Sequence, residues 1–141
     1  MNTNMREIPD RVRYKMMNTQ ELRDGFLLSE FVKKDQINFN YIDLERAMIG
    51  AAFPFKKSLE LQSPEILRAE YFTERREIGI MNVGGKGTVE VDNVAYQLEY
   101  RDALYIGKGS KKIIFHTEKK DDPAKFYITS YPAHATYPTT H

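Results

Sequence analysis

The sequence predicts an all-β chain, an antiparallel jelly roll preceded by one short amino-terminal helix. Three observations predict it. The stretch EYFTERREIGIMNVGGKGTVEVDNVAYQLEYRDALYIGKGSKKIIF, from Glu70 to Phe115, divides into five short strand-like runs. Glycine clusters, Gly84-Gly85-Lys86-Gly87 and Gly107-Lys108-Gly109, stand between runs where no ladder continues. A two-residue Asp92-Asn93 link joins two alternating runs, and both residues tolerate the positive φ of a tight hairpin.

Taken in order, Met1–Arg13 is polar and charged and reads as a loose arm. Asn18-Thr19-Gln20-Glu21 has the form of a capping box, with Asn18 or Thr19 as the cap, before a short helix through about Asp24 that Gly25 ends. Phe26–Val32 and Ile37–Ile42 are strand-like, linked by the charged turn Lys33-Lys34-Asp35-Gln36. Arg46–Phe53 (RAMIGAAF) reads as a buried strand whose small residues let another backbone come close. Pro54 stops it, Leu59–Gln62 is a further short strand, and Pro64 opens a single helical turn.

The central runs follow: Ile78–Val83, Thr88–Val91, Val94–Tyr100, Ala103–Ile106 and Lys112–Phe115. A charged loop, His116–Asp122, leads to a last strand, Phe126–Thr129. The proline-bearing tail SYPAHATYPTTH reads as a linker. The organisation is therefore an arm and helix over residues 1–25, a barrel domain over 26–130 and a linker-like tail over 131–141. Alternation places Ile78, Ile80, Val89, Val91, Leu98, Leu104, Ile106, Ile114 and Phe126 in the interior.

A chain of 141 residues makes one domain with a core of ordinary size. Its 21 basic and 20 acidic residues leave a net charge of +1, which gives no electrostatic case for a nucleic-acid or anionic-membrane partner. There is no cysteine, so disulfides and cysteine-ligated metals are excluded. No apolar run reaches the length of a membrane span, and Met1–Asp10 is too polar for a secretory signal. The expectation is a cytoplasmic domain.

Jelly rolls of the cupin type hold a metal through a His-x-His pair and a glutamate on one strand and a further histidine after a Pro-x-Gly turn. Here the first motif falls on Tyr71-Phe72-Thr73, ahead of Glu74-Arg75-Arg76-Glu77, and the second on Gly107-Lys108-Gly109 with Lys112 at the histidine position. Only a glutamate remains, Glu77, or Glu74 in another register. A lone carboxylate does not hold a transition metal against water, so neither a metal site nor a catalytic residue is expected in this chain. His116, His134 and His141 lack ligand spacing. Arg75 and Arg76 admit two readings: a fork onto a sugar carboxylate at the barrel mouth, or one arginine paired with Glu74 or Glu77 and the other solvated. Arg101 is a third candidate for substrate contact.

The runs TERREIGIMNVGGKGTVEVD, YRDALYIGKGSKK and PAKFYITSYPAHATYPTTH resemble the amino-terminal half of the 5-keto-4-deoxyuronate isomerase family. NTQELRDGFLLSEFV and NFNYIDLERAMIGAAFP fit the same family; the 5-deoxyglucuronate isomerases of inositol breakdown are similar in architecture and are the competing family. The resemblance implies one half of a bicupin ketol-isomerase of pectin breakdown. It implies that zinc belongs to the other, carboxyl-terminal cupin, that a small uronate is the substrate, and that the complete protein is a homohexamer. It also implies that Glu74-Arg75-Arg76 echoes a Glu-Arg-Arg that follows the metal motif of that other half. No zinc ligand carries over onto this sequence. The other reading compatible with these residues is a structural or oligomerisation module with no direct part in chemistry.

Overall fold

The computed structural model describes residues 1–141. Its ten strands are β1 Asn2–Arg6, β2 Gln36–Ile42, β3 Ala47–Phe53, β4 Leu59–Glu60, β5 Arg76–Asn82, β6 Gly87–Val91, β7 Val94–Leu98, β8 Ala103–Ile106, β9 Ile113–Thr117 and β10 Phe126–Pro132. One α-helix, α1 Thr19–Phe26, precedes β2, and single helical turns lie at Arg13–Met16, Leu44–Arg46 and Glu65–Leu67. The strands form a six-stranded sheet in the order β1-β2-β3-β10-β5-β8 and a four-stranded sheet in the order β4-β9-β6-β7. All pairings are antiparallel except that of β1 with β2.

The core draws on both sheets. Phe39, Ile78, Ile80, Leu104, Ile106, Phe126 and Ile128 come from the larger sheet, Val89, Val91, Leu98, Ile113 and Phe115 from the smaller, and all are buried. Phe115 meets Phe126 at a ring-centroid separation of 5.3 Å, and Phe39 stacks on Phe72 at 5.1 Å. The β6–β7 hairpin turns on Asp92 and Asn93 at φ 48° and 70°, the tight turn that their side chains favour. Asn82, at the end of β5, is fully buried and holds the glycine loop that follows. Its Nδ2 donates to the carbonyls of Gly85 (2.8 Å) and Leu98 (2.9 Å), and its Oδ1 accepts from the Gly84 amide (3.1 Å).

Four expectations need correction. The amino-terminal arm is not loose: Asn2–Arg6 adds a parallel edge strand, and Arg6 Nη1 donates to the Asp24 and Leu27 carbonyls at the end of α1 (2.7 and 2.9 Å). That ladder is made by main chain, to which polar side chains give no pattern. The helix passes through Gly25 and ends at Phe26. Phe26–Val32 forms no strand; the Phe31 carbonyl accepts instead from Asn38 Nδ2 (3.0 Å), a side-chain substitute for a ladder bond. In β9 it is Ile113 and Phe115 that face inward, while Ile114 is only half-buried, a slip of one residue that swaps faces.

Asn18 is the cap of α1. Its side chain accepts from the Glu21 amide (3.0 Å) and the Glu21 carboxylate accepts from the Asn18 amide (2.8 Å), a complete capping box. No residue of α1 is buried, so the cap carries an unusual share of the helix's stability. Asn18→Ala is expected to speed exchange of the Glu21 and Leu22 amides about fivefold, the equivalent of about 1 kcal/mol for a lost cap, with little change in the global unfolding midpoint. Unchanged exchange at both amides would mean that the cap does not hold the helix.

The tail runs back along the larger sheet. Thr140 and Tyr105 exchange amide-to-carbonyl bonds of 2.8 and 3.0 Å, which pairs the tail with the outer edge of β8. No helix is long and apolar enough to cross a membrane.

Candidate functional site

Strand β5 alternates faces. Arg76, Ile78, Ile80 and Asn82 point between the sheets, and Glu77, Gly79 and Met81 point to the other side. Arg76 is the first residue of the strand and therefore sits at one mouth of the barrel, and the residue is only 6% exposed. Its Nε donates to Ser130 Oγ (3.1 Å), and its Nη2 to the Ser130 and Arg46 carbonyls (2.9 and 2.7 Å). All three acceptors are neutral, and no carboxylate forms an ion pair with it. Burial pulls the pKa of the guanidinium below the ordinary arginine value; Tyr41 counters this and the neighbouring Arg46 charge adds to it. Arginine nonetheless keeps its proton at any physiological pH.

Arg76 lines a cavity of about 190 Å³ together with Arg46, Arg75, Tyr41, Phe72 and Pro132. Arg75 is exposed; its Nη2 donates to the Arg68 carbonyl (2.5 Å) and its Nε lies 3.7 Å from Glu74 Oε1. The Glu74 pairing is the bland alternative for one arginine of the pair. The other arginine is not solvated but buried. Arg101 stands elsewhere: its amide donates to the carbonyl of Asn82 (2.8 Å), at the far end of β5 from Arg76, and its guanidinium lies over the Tyr100 ring at 4.9 Å. The structure thus brings Arg75 and Arg76 together, leaves Arg101 apart and adds Arg46, 30 residues earlier in the chain, to the group.

A larger cavity of about 760 Å³ opens beside the Gly84–Gly87 loop, but its lining is balanced, with Lys86, Lys119 and Lys125 against Glu99, Glu118 and Asp122. Lys86 Nζ lies 2.8 Å from Glu99 and 3.9 Å from Glu118, and the Glu99 bond holds the lysine above its usual pKa. The mouth at Arg76 has the stronger claim because no acidic residue lines it.

The KduI/IolB family profile matches residues 27–141. The chain belongs to the KduI/IolB family. It is 46% identical over 125 residues to the 4-deoxy-L-threo-5-hexosulose-uronate ketol-isomerase of Lachnoclostridium phytofermentans, which covers 89% of this chain and 45% of that protein. A ketol-isomerase of the same name from Lachnospira eligens is 47% identical over 125 residues, with the same coverage. That of Escherichia coli strain SE11 is 41% identical over 127 residues, covering 89% of this chain and 46% of the relative. The chain thus spans a little under half the length of the curated relatives it matches. Among solved structures, an RmlC-like cupin protein from Desulfovibrio desulfuricans superposes with a TM-score of 0.52 at 15% identity, over 75% of this chain and 93% of its own. The fold is a cupin jelly roll, as the strand and turn pattern predicts.

The zinc that the KduI/IolB resemblance implies can be tested against the donors at the cupin motif positions. Thr73 is fully buried with its hydroxyl donated to the Ser110 carbonyl. Lys112 is exposed just before β9, its amide bound to Asp92 Oδ1 (2.8 Å). Glu77 lies on the far face of β5 from Arg76 and accepts from the Tyr105 hydroxyl (2.8 Å); burial, then this bond, pushes the Tyr105 pKa up to about 12. A buried hydroxyl already donated, a lysine and a carboxylate turned away do not fit a zinc ion. His116 lies within β9 beside Ser58 Oγ (2.7 Å) and Glu90 (3.8 Å), and His141 lies 3.7 Å from Asp102. No three histidine or acidic side chains gather as a metal would require.

Proposed function

We propose that the chain is the amino-terminal cupin of a ketol-isomerase. The reaction interconverts 5-dehydro-4-deoxy-D-glucuronate and 3-deoxy-D-glycero-2,5-hexodiulosonate in the breakdown of pectin and related polyuronates, in the cytoplasm. The observation that carries this reading is the family match over residues 27–141, joined by relatives of 41–47% identity that bear the ketol-isomerase name. An aldose–ketose shift moves a proton between adjacent carbons through an enediol. It needs a base near that proton and an electrophile at the carbonyl oxygen. At the cupin motif positions of this chain only Glu77 could act as a base, and it is turned to the far face of β5 and bound to Tyr105, so on this reading the chain holds no catalytic metal and zinc resides in the other cupin. What this half supplies is positive charge at the barrel mouth, where Arg75 and Arg76 are our proposed contacts to the substrate's acid group. Arg101 would reach substrate only at the opposite end of the barrel.

The second reading, a scaffolding module, draws on the outer face of the larger sheet, where Met81, Tyr127 and Tyr131 are all more than a third exposed. In both readings the intact protein is a homo-oligomer, by family resemblance a hexamer; a monomer in multi-angle light scattering of the intact protein would count against that. The function is tested by following conversion of 5-dehydro-4-deoxy-D-glucuronate by the intact protein. Turnover that Arg75→Ala slows through KM supports substrate contact in this half. Unchanged kinetics in Arg75→Ala with weakened assembly supports the scaffold, and no turnover by the intact protein defeats the isomerase reading.

A further inference from the structure

We infer that the barrel mouth is a carboxylate-binding site built wholly from this chain, with Arg46, Arg75 and Arg76 as its cationic wall and the acid group of a small sugar acid as its ligand. The naming of a sugar acid rests on the isomerase reading above. The presence of an anion site does not, since it follows from the charges alone.

The first ground is an uncompensated charge. A guanidinium carried by a residue that is only 6% exposed ordinarily has a carboxylate beside it. Arg76 has only a hydroxyl and two carbonyls. Its Nη1 makes no hydrogen bond and keeps contact with solvent, on a residue that lines the cavity. A second positive charge makes the deficit worse. Arg46 forms no ion pair, lines the same cavity and lies close enough to Arg76 to disfavour its charged form. Arg75 completes the set with one contact to Glu74 at 3.7 Å. Three arginines lining one small cavity with no acid in its lining form a site whose charges repel one another and are relieved by an anion.

The second ground is that the site is built before any ligand arrives. Glu45 and Arg46 are consecutive residues in the left-handed region, at φ 57° and 52°, and Arg68 is a third at 47°. Side chains with a Cβ rarely adopt that conformation, and it persists where surrounding bonds hold it. Here the arginines hold it: Arg76 Nη2 binds the Arg46 carbonyl and Arg75 Nη2 binds the Arg68 carbonyl. The guanidiniums of Arg75 and Arg76 are thereby fixed in place, which leaves less ordering to be done on binding. Phe72, Pro132 and Tyr41 supply an apolar wall for the carbon skeleton behind the acid group. A planar carboxylate suits the fork of a guanidinium better than a neutral sugar does, and the cavity is too small for a polymer.

The test titrates the 141-residue chain with glucuronate, glucose and inorganic phosphate at constant ionic strength, read by thermal shift and calorimetry. Glucuronate is expected to raise Tm saturably, phosphate to act more weakly and glucose to do nothing. Arg46 is exposed and outside the core, so Arg46→Gln should fold normally by circular dichroism and lose at least tenfold in glucuronate affinity, with Arg46→Lys partly restoring it. Glucuronate that behaves like glucose, phosphate that binds more tightly than glucuronate, or Arg46→Gln that binds as well as the parent would each overturn the assignment. Turnover by the intact protein without glucuronate binding here removes this site and leaves the isomerase reading standing. Saturable, Arg46-dependent binding without turnover supports the site and removes the isomerase reading.

Discussion

If the proposed isomerase reading holds, the 141-residue chain on its own is expected to turn over no 5-dehydro-4-deoxy-D-glucuronate, with a rate at least ~1,000-fold below that of a two-cupin protein. The size of the loss follows from what is missing at the barrel mouth, since a positioned base alone is worth about 100- to 10,000-fold and a polarising electrophile adds to that. Arg75 and Arg76 are cations and cannot accept the migrating proton at neutral pH. The one acidic side chain within 4 Å of them is Glu74, whose Oε2 already accepts from the Glu70 amide at 2.7 Å. Glu77 is on the wrong face of β5 and bound to Tyr105. Elemental analysis after dialysis should accordingly find no stoichiometric zinc, manganese or iron in the chain. Adding a separately made polypeptide that covers the rest of the length of the curated relatives should restore measurable turnover. Chelator-insensitive turnover by the chain alone would overturn both the metal assignment and the view that this half supports a site completed elsewhere.

The parts of this fold that sequence made legible are those where side chains carry the pattern. Strand β6 alternates Thr88-Val89-Glu90-Val91, Asp92-Asn93 supplies the turn into β7, and glycine clusters bound the apolar runs of β5 and β8, so these elements could be read directly. Strand β9 shows where that reading stops. Ile113, Ile114 and Phe115 are apolar in succession, so alternation could not choose between two registers, and only packing against β6 settles it. Strand β1 was invisible for a different reason: its ladder to β2 uses main-chain groups that every residue carries.

The site divides in the same way. Arg75 and Arg76 stood out as a pair next to the motif position, but burial of Arg76 without an acid runs against the usual rule that buried charges are paired. Arg46 gave no signal at all, because a residue 30 positions away joins the cavity only through the turn that brings β2 into β3. Arg101 looked equivalent to the pair in sequence, yet the length of β5 separates them.

Gly50→Val is expected to destabilise the larger sheet strongly, by about 3 kcal/mol or more, the upper end of the cost of overpacking a core. RAMIGAAF reads in sequence as a strand that lets another backbone come close, and Gly50 is the point of approach. A Cβ built there would fall 2.8 Å from Phe39 Cε1 and nearer still to Phe39 Cδ1 and the Asn38 carbonyl oxygen. Neither neighbour can retreat freely. Asn38 and Phe39 are held in the β2–β3 ladder, and the Phe39 ring stacks on Phe72 at 5.1 Å. Against a total stability of about 5–15 kcal/mol for a domain of this kind, such a loss is large. It also travels to the site, because Phe72 is a wall of the arginine-lined cavity and moves when Phe39 is displaced. Urea unfolding should therefore show a lower midpoint with an unchanged slope, and the surviving folded fraction should bind glucuronate less tightly than the parent. A midpoint within error of the parent would mean that β2 and β3 do not approach as closely at Gly50 as this geometry requires.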